Sequence, residues 1–233
     1  MREMRRLADP GTAAGSQRYF RTAPGQYGEG DRFLGLDASQ IRALARKFAK
    51  LPLREIEALL ESPWHEARLL AVVLLANAYP RADAKTQAQI YRLYLSRTDR
   101  INNWDLVDAS APEVVGGHLL ERPRAPLYKL ARSKSLWERR IAVVATHVFI
   151  RRGEFDDTLR LAELLMDDKH DLIHKAVGWM LREVGKKDER VLTGFLNQHA
   201  ASLPRTALRY SIERLMPAQR KRYMAIPRQS TKR

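Results

Sequence analysis

The chain has 233 residues, 45% of them hydrophobic, with 42 Lys plus Arg against 27 Asp plus Glu and a formal charge of +15. The absence of cysteine excludes disulfides, thiolate zinc sites, cysteine-ligated iron–sulfur clusters and cysteine nucleophiles. The cation excess points to a polyanionic partner, nucleic acid first and an anionic membrane surface second, because each neutralised phosphate releases counterions. No signal-length apolar run follows Met1-Arg2, and the longest greasy segment, Leu69 to Ala78, is too short to span a bilayer. A soluble, cytoplasmic protein without membrane association is therefore expected.

Residues 1–36 are rich in glycine, and Gly11, Gly15, Gly25, Gly28, Gly30 and Gly35 interrupt any regular pattern. Gly28-Glu29-Gly30 lacks the following Lys-Ser or Lys-Thr and the preceding strand of a phosphate loop. These residues are read as an arm packed on the helices behind it, anchored by Tyr19-Phe20 and Phe33-Leu34.

From Asp37 onward the apolar spacing is helical and almost nowhere alternating. Asp37 suits an N-cap for a helix to Lys50, with Ile41, Leu44, Ala45 and Phe48 inward. Helices follow over Leu53–Leu60, Trp64–Tyr79 and Asp83–Ser96, then a short one over Asn103–Ala109 stopped before Pro112. Ser135 to Arg151 reads as the strongest helix, and Thr158–Met166, Asp171–Val184 and Arg190–Gln198 come after it. Pro204 sits well at the start of a last helix to Leu215. Residues 217–233, with Arg220, Lys221, Arg222, Arg228, Lys232 and Arg233, read as a solvated basic tail. The expectation is an all-α chain: an arm (1–36), a helical domain (37–216) and the tail.

Glu66-Ala67-Arg68-Leu69-Leu70-Ala71-Val72-Val73 is echoed by Glu138-Arg139-Arg140-Ile141-Ala142-Val143-Val144, and more weakly by Ala176-Val177-Gly178-Trp179. The offsets correspond to a repeat of about 36 residues, close to the period of HEAT-type helical pairs. Stacked antiparallel pairs of that kind form a solenoid with one concave face. The Arg or Lys at the repeated position would make that groove basic and suited to a duplex.

Three clusters could carry chemistry. In Asn102-Asn103-Trp104-Asp105-Leu106-Val107-Asp108, Trp104 and Asp108 are four apart and share a helix face, while Leu106 and Val107 can turn inward. By themselves these residues suit a core-edge indole beside a solvated acid better than a reaction centre. Trp137-Glu138-Arg139-Arg140 opens the strongest helix, where an acid also serves as a plain capping charge. Lys175, Trp179 and Arg182 form one stripe, either a core-edge Trp with surface cations or a nucleic-acid surface. His170 and His174 have zinc-like spacing, but no third ligand is obvious nearby. No metal and no cofactor are expected.

Taken together, Asn-Asn-Trp-Asp-Leu-Val-Asp, Trp-Glu-Arg-Arg-Ile-Ala and Lys-Ala-Val-Gly-Trp-Met-Leu-Arg-Glu resemble the AlkD-type DNA alkylation-repair glycosylases. Tyr19-Phe20-Arg21-Thr22-Ala23-Pro24-Gly25-Gln26-Tyr27-Gly28-Glu29-Gly30-Asp31 and Phe33-Leu34-Gly35 resemble that family's N-terminal segment. The matches run in order from about Leu7 to Leu215. The resemblance implies a HEAT-like solenoid holding duplex DNA and excising cationic N3- and N7-alkylated purines without base insertion into a pocket. It further implies Asp108 as the catalytic carboxylate, Trp104 and Trp179 as aromatic walls against the deoxyribose, and Arg140 and Arg182 as DNA contacts. Arg139 and Lys175 are added from the charged clusters. Two positions depart from some members: Asn103 stands where a second aromatic can occur, and Val148 where a lysine can. The expected partner is alkylated double-stranded DNA, bound by a monomer with no obligatory protein partner. A non-catalytic HEAT-type module for branched DNA is the alternative.

Overall fold

The computed structural model describes residues 1–228. Among them the chain is all-α, with a single isolated β-bridge between Arg32 and Trp64. No helix among the described residues is long and apolar enough to cross a membrane. The chain divides into two compact units, Met1–His118 and Leu119 onward.

The first unit holds α1 (Arg2–Arg6), α2 (Pro10–Tyr19), α3 (Ala38–Lys47), α4 (Leu53–Leu60), α5 (His65–Ala78), α6 (Ala84–Ser96) and α7 (Trp104–Asp108). A π-helical turn over Pro112–Gly116 leads into the short α8 (Gly117–Leu119). Caps set the starts. Asp37 accepts from the Ser39 and Gln40 amides at 2.7 and 2.8 Å, and Gln40 returns the bond to the Asp37 amide at 2.9 Å. Asp83 caps α6 through the Thr86 amide at 2.7 Å. Helix α5 is buried nearly all round, from Ala67 to Ala76, and forms the centre of this unit against α3 and α4.

The arm is more ordered than its glycines suggest. It contains α1 and α2, with Met4 buried, where the sequence reading expected no regular structure. Its glycines serve close packing: a Cβ on Gly35, at φ +89°, would lie 2.0 Å from the Asp9 carbonyl oxygen, and one on Gly28 would lie 2.3 Å from that of Phe20. The arm is tied to α5 by Glu66, which is buried and accepts from the amides of Leu34 (2.9 Å), Gly35 (2.7 Å) and Leu36 (3.2 Å).

The second unit holds α9 (Ala125–Ala131), α10 (Leu136–Ala145), α11 (His147–Arg151), α12 (Asp156–Leu164), α13 (Asp171–Lys187), α14 (Glu189–His199), α15 (Arg205–Ser211) and α16 (Pro217–Ala225). The expected single helix from Ser135 to Arg151 is two. Thr146 interrupts it by donating its hydroxyl to the Val143 carbonyl at 2.7 Å, with its own amide making a tight bond to the same oxygen at 3.1 Å. The stretch expected as a solvated tail is helical over Pro217–Ala225, with Tyr223 buried; Lys232 and Arg233 lie outside the described residues.

Helix α13 packs on α10, α14 and α15. Its contact with α15 is close because Gly178 has no side chain: a Cβ there would sit 2.5 Å from the Ala207 carbonyl oxygen. Gly194 on α14 has open space around it. Two substitutions with the same chemistry should therefore have opposite signs. Gly178→Ala should destabilise by about 1–3 kcal/mol through overpacking. Gly194→Ala should stabilise by up to about 1 kcal/mol through helix propensity. Urea unfolding of the two variants checks both.

Candidate active site

Helix α7 has only five residues, too few to hold its shape alone. Asn103 is its N-cap, with a fully buried side chain that accepts from the Trp104 amide at 2.8 Å and donates to Asp31 Oδ2 at 3.2 Å. Asp105 follows in the first turn, where its Oδ1 accepts from the Leu106 amide at 2.9 Å. Leu106 and Val107 are fully buried, which leaves Trp104 and Asp108 together on the opposite, half-exposed side.

Beneath that helix lies a buried charge network. Asp31 accepts from Arg68 at 2.5 Å through one oxygen and meets His65 Nδ1 at 3.0 Å through the other. His65 Nε2 meets Asp105 Oδ2 at 2.8 Å. With a carboxylate at each ring nitrogen, His65 is held as an imidazolium donating in both directions. Burial pushes its pKa down, but the charge and hydrogen bond of Asp105, and then those of Asp31, outweigh burial and raise it to about 9. Burial likewise pushes Asp31 up, and His65, Arg68 and Asn103 together bring it below the ordinary carboxylate range.

Aromatic rings fix the indole. Phe20 stacks on Trp104 at 5.4 Å and on Phe33 at 5.2 Å, and Phe33 stacks on His65 at 4.6 Å. Tyr19 meets Trp104 edge-on at 6.0 Å while remaining largely exposed. Beside this stack is an apolar cavity of about 350 Å³ whose walls include Phe20, Phe33, Leu36, Ile41, Trp104 and Asp105.

The remaining expected site residues are in the second unit. Arg139 donates to Asp168 at 2.6 Å and to the carbonyls of Ser133 and Lys134. Arg140 is buried and donates to the Leu172 carbonyl at 2.5 Å. Lys175, Trp179 and Arg182 do form one stripe of α13, but acids accompany it. Lys175 pairs with Asp171 at 2.9 Å, Trp179 donates to Glu183 at 3.2 Å, and Arg182 pairs with Glu213. His170 caps α13 through its Nδ1, His174 bonds the Asp168 carbonyl, and no three metal-ligating side chains gather among the described residues.

One expectation is corrected here. The cation at the repeated position of α5, Arg68, was expected on a basic inner face and is instead buried in its pair with Asp31. The supporting roles of Asp31, His65 and Asp105, and of Glu66 and Arg68 as buried partners rather than repeat positions, do not follow from the sequence reading. Their signal was present in His65-Glu66-Ala67-Arg68, three ionisable groups opening an otherwise apolar helix, since buried charges require partners.

The network carries its own pH signature. A histidine whose folded pKa is raised stabilises fully below its unfolded value near 6.5 and loses that contribution as pH rises through about 9. Asp31, with its pKa lowered, stabilises above its unfolded value of 3.8 and loses that contribution as pH falls. Urea midpoints should therefore decline between about pH 6.5 and 9. His65→Gln should remove that decline and cost about 2–4 kcal/mol near neutrality, because the buried Asp31 and the partly buried Asp105 lose their shared cation while Asp31 keeps Arg68.

The profile of a family described as DNA alkylation repair enzyme matches residues 1–215. Among solved structures, a predicted DNA alkylation repair enzyme from Enterococcus faecalis superposes with a TM-score of 0.69 at 20% identity, covering 90% of this chain and 97% of that one. At that identity the likeness speaks for the fold. No curated protein matches the chain significantly. A profile match that runs through the arm, α7 and α13 rests on residues 1–215 rather than on one motif: the chain belongs to the DNA alkylation repair enzyme family.

Proposed function

We propose that this protein is a monofunctional DNA N-glycosylase that releases cationic N3- and N7-alkylated purines, such as 3-methyladenine and 7-methylguanine, from duplex DNA. In this reading the helices build a HEAT-like solenoid of antiparallel pairs, and its basic concave side takes the duplex without extruding the base into a pocket. That departs from the usual base-flipping strategy of glycosylases. The observation that carries the reading is α7, where Trp104 and Asp108 share one half-exposed face of a helix held by Asn103 and by the Asp31–His65–Asp105 network.

The chemistry asks for little more than that pair. Alkylation at N7 or N3 makes the purine a cation, so the electrons of the C1′–N bond leave with the base and neutralise it. No general acid is needed. Positive charge then develops on the sugar, where a carboxylate stabilises it, and water adds to C1′ and surrenders a proton. Asp108 is assigned both tasks, opposing the sugar's charge and orienting the water. The negative face of Trp104 reinforces the first. Trp179 is proposed to present a second indole to the duplex, with Arg140, Arg182, Arg139 and Lys175 contributing to its binding. The acids that accompany several of these cations would have to exchange them for phosphate. Among these cations, Arg140 is the most deeply set, and in this reading it acts as a rigid guanidinium rather than a mobile surface charge.

A carboxylate about 4 Å from the developing cation, at an effective dielectric near 20, contributes on the order of 4 kcal/mol. If that is felt mainly in the transition state it is roughly a thousandfold in rate. Asp108→Asn should lower single-turnover release of 7-methylguanine from methylated duplex by about that factor while changing duplex affinity less than about threefold. Full activity in this variant would remove Asp108 from the reaction. Wild-type protein that bound branched duplexes but freed no base would favour the non-catalytic module.

A further inference from the structure

Helix α16 begins at Pro217, just past residue 215 where the family match ends. It is firmly docked. The buried Tyr223 donates to Asn197 Oδ1 at 3.0 Å, Arg205 donates to the Met224 carbonyl at 3.0 Å, and Gln219 donates to Glu189 at 2.8 Å. The helix carries Arg220, Lys221 and Arg222 and no acid. Alongside α15 it encloses an open hollow of about 400 Å³ lined by Arg209, Ile212, Pro217, Arg220, Lys221 and Met224.

Several cations elsewhere in this unit are paired with acids: Arg124 with Asp157, Arg139 with Asp168, Arg182 with Glu213. The hollow instead gathers three cations around one concavity. Arg209, Arg220 and Lys221 are exposed and have no ion-pair partner among the described residues. The acids close to them in sequence or packing are already engaged, Glu213 by Arg182 and Glu189 by Gln219. Three like charges around one concavity repel one another until an anion enters. The apolar wall of Ile212, Pro217 and Met224 suits the sugar flank of a nucleotide, and guanidinium groups suit phosphate oxygens.

We propose that this hollow is a phosphate-binding site for the backbone of duplex DNA, a sequence-independent anchor added to the family's fold by the C-terminal helix. It rests on the reading that DNA is the partner and does not depend on base excision. Its role is affinity and not chemistry, so removing it acts on binding and leaves the rate at saturating DNA alone.

The test is the salt dependence of binding to an undamaged, fluorescently labelled duplex, measured for wild type and for Arg209→Gln/Arg220→Gln/Lys221→Gln. Glutamine keeps much of each stem's length while removing the charge, and matching melting temperatures establish that the variant is folded. Loss of three phosphate contacts should lower the slope of log affinity against log salt by about 2.7. Across a fourfold rise in salt, wild-type affinity should then fall about 40-fold further than the variant's. Arg209→Lys/Arg220→Lys, which keeps the charges, should retain the wild-type slope. An unchanged slope in the folded triple variant would overturn the anchor while wild-type binding left the DNA reading standing. Wild type that bound no duplex would sink both. A variant that lost affinity only for phosphatidylglycerol vesicles would overturn the proposal in favour of a membrane surface.

Discussion

Asp31, His65 and Asp105 stand in series inside the first unit, with Arg68 closing the charge balance from the other side of Asp31. Three stretches distant in sequence meet there: the end of the arm, the start of α5 and the first turn of α7. Burying a carboxylate and two cations is not a cheap way to stabilise a protein, and well-packed apolar side chains often do as well. What such a network supplies is geometry. Each acceptor must find its donor, so α7 has one orientation relative to α5 and the arm. Phe20 and Phe33 pack against the His65 ring, an apolar cover that strengthens the interactions His65 makes.

That constraint suits the reaction proposed for the site. A leaving group that is already cationic needs no proton donor, so the protein's task reduces to holding one carboxylate and one aromatic face where sugar charge will appear. A short helix cannot do that by its own hydrogen bonding, and α7 borrows its rigidity from below. The second unit handles charge differently. Along α13, Lys175, Lys186 and Arg182 are matched by Asp171, Glu183 and Glu213, whereas the hollow beside α16 leaves its cations unmatched among the described residues.

Helix positions were largely legible in the sequence because burial imposes a 3.6-residue period, and Leu53–Leu60 was read to the residue. The failures have local causes. Periodicity runs straight through Thr146, and the break arises from its hydroxyl competing for a backbone carbonyl. Charge made Arg220 to Arg222 look like a tail, and Tyr223, the residue that docks the helix, was outvoted by its neighbours. Glycine density hid α2, where Asp9 caps the start through the Thr12 amide. At the site, the shared face of Trp104 and Asp108 followed from spacing alone. Asn103 did not: its departure from an aromatic becomes intelligible only beside Asp31, since a buried carboxylate there calls for a donor. The likeness of Glu66 to Glu138 was also only skin deep, because one is sealed against the arm and the other is half-exposed.

Glu66 recognises residues 34–36 entirely through main-chain amides. A receptor that grips only the peptide backbone is indifferent to what hangs from it. Positions 34 and 36 are therefore free to drift among residues of similar bulk, whereas Gly35, pressed against Asp9, is not. The acid itself has no such freedom, because losing it would strand several amides in a dry interior at once. The N-terminal arm is thus welded to the core by a bond that leaves almost no trace in the arm's own side chains.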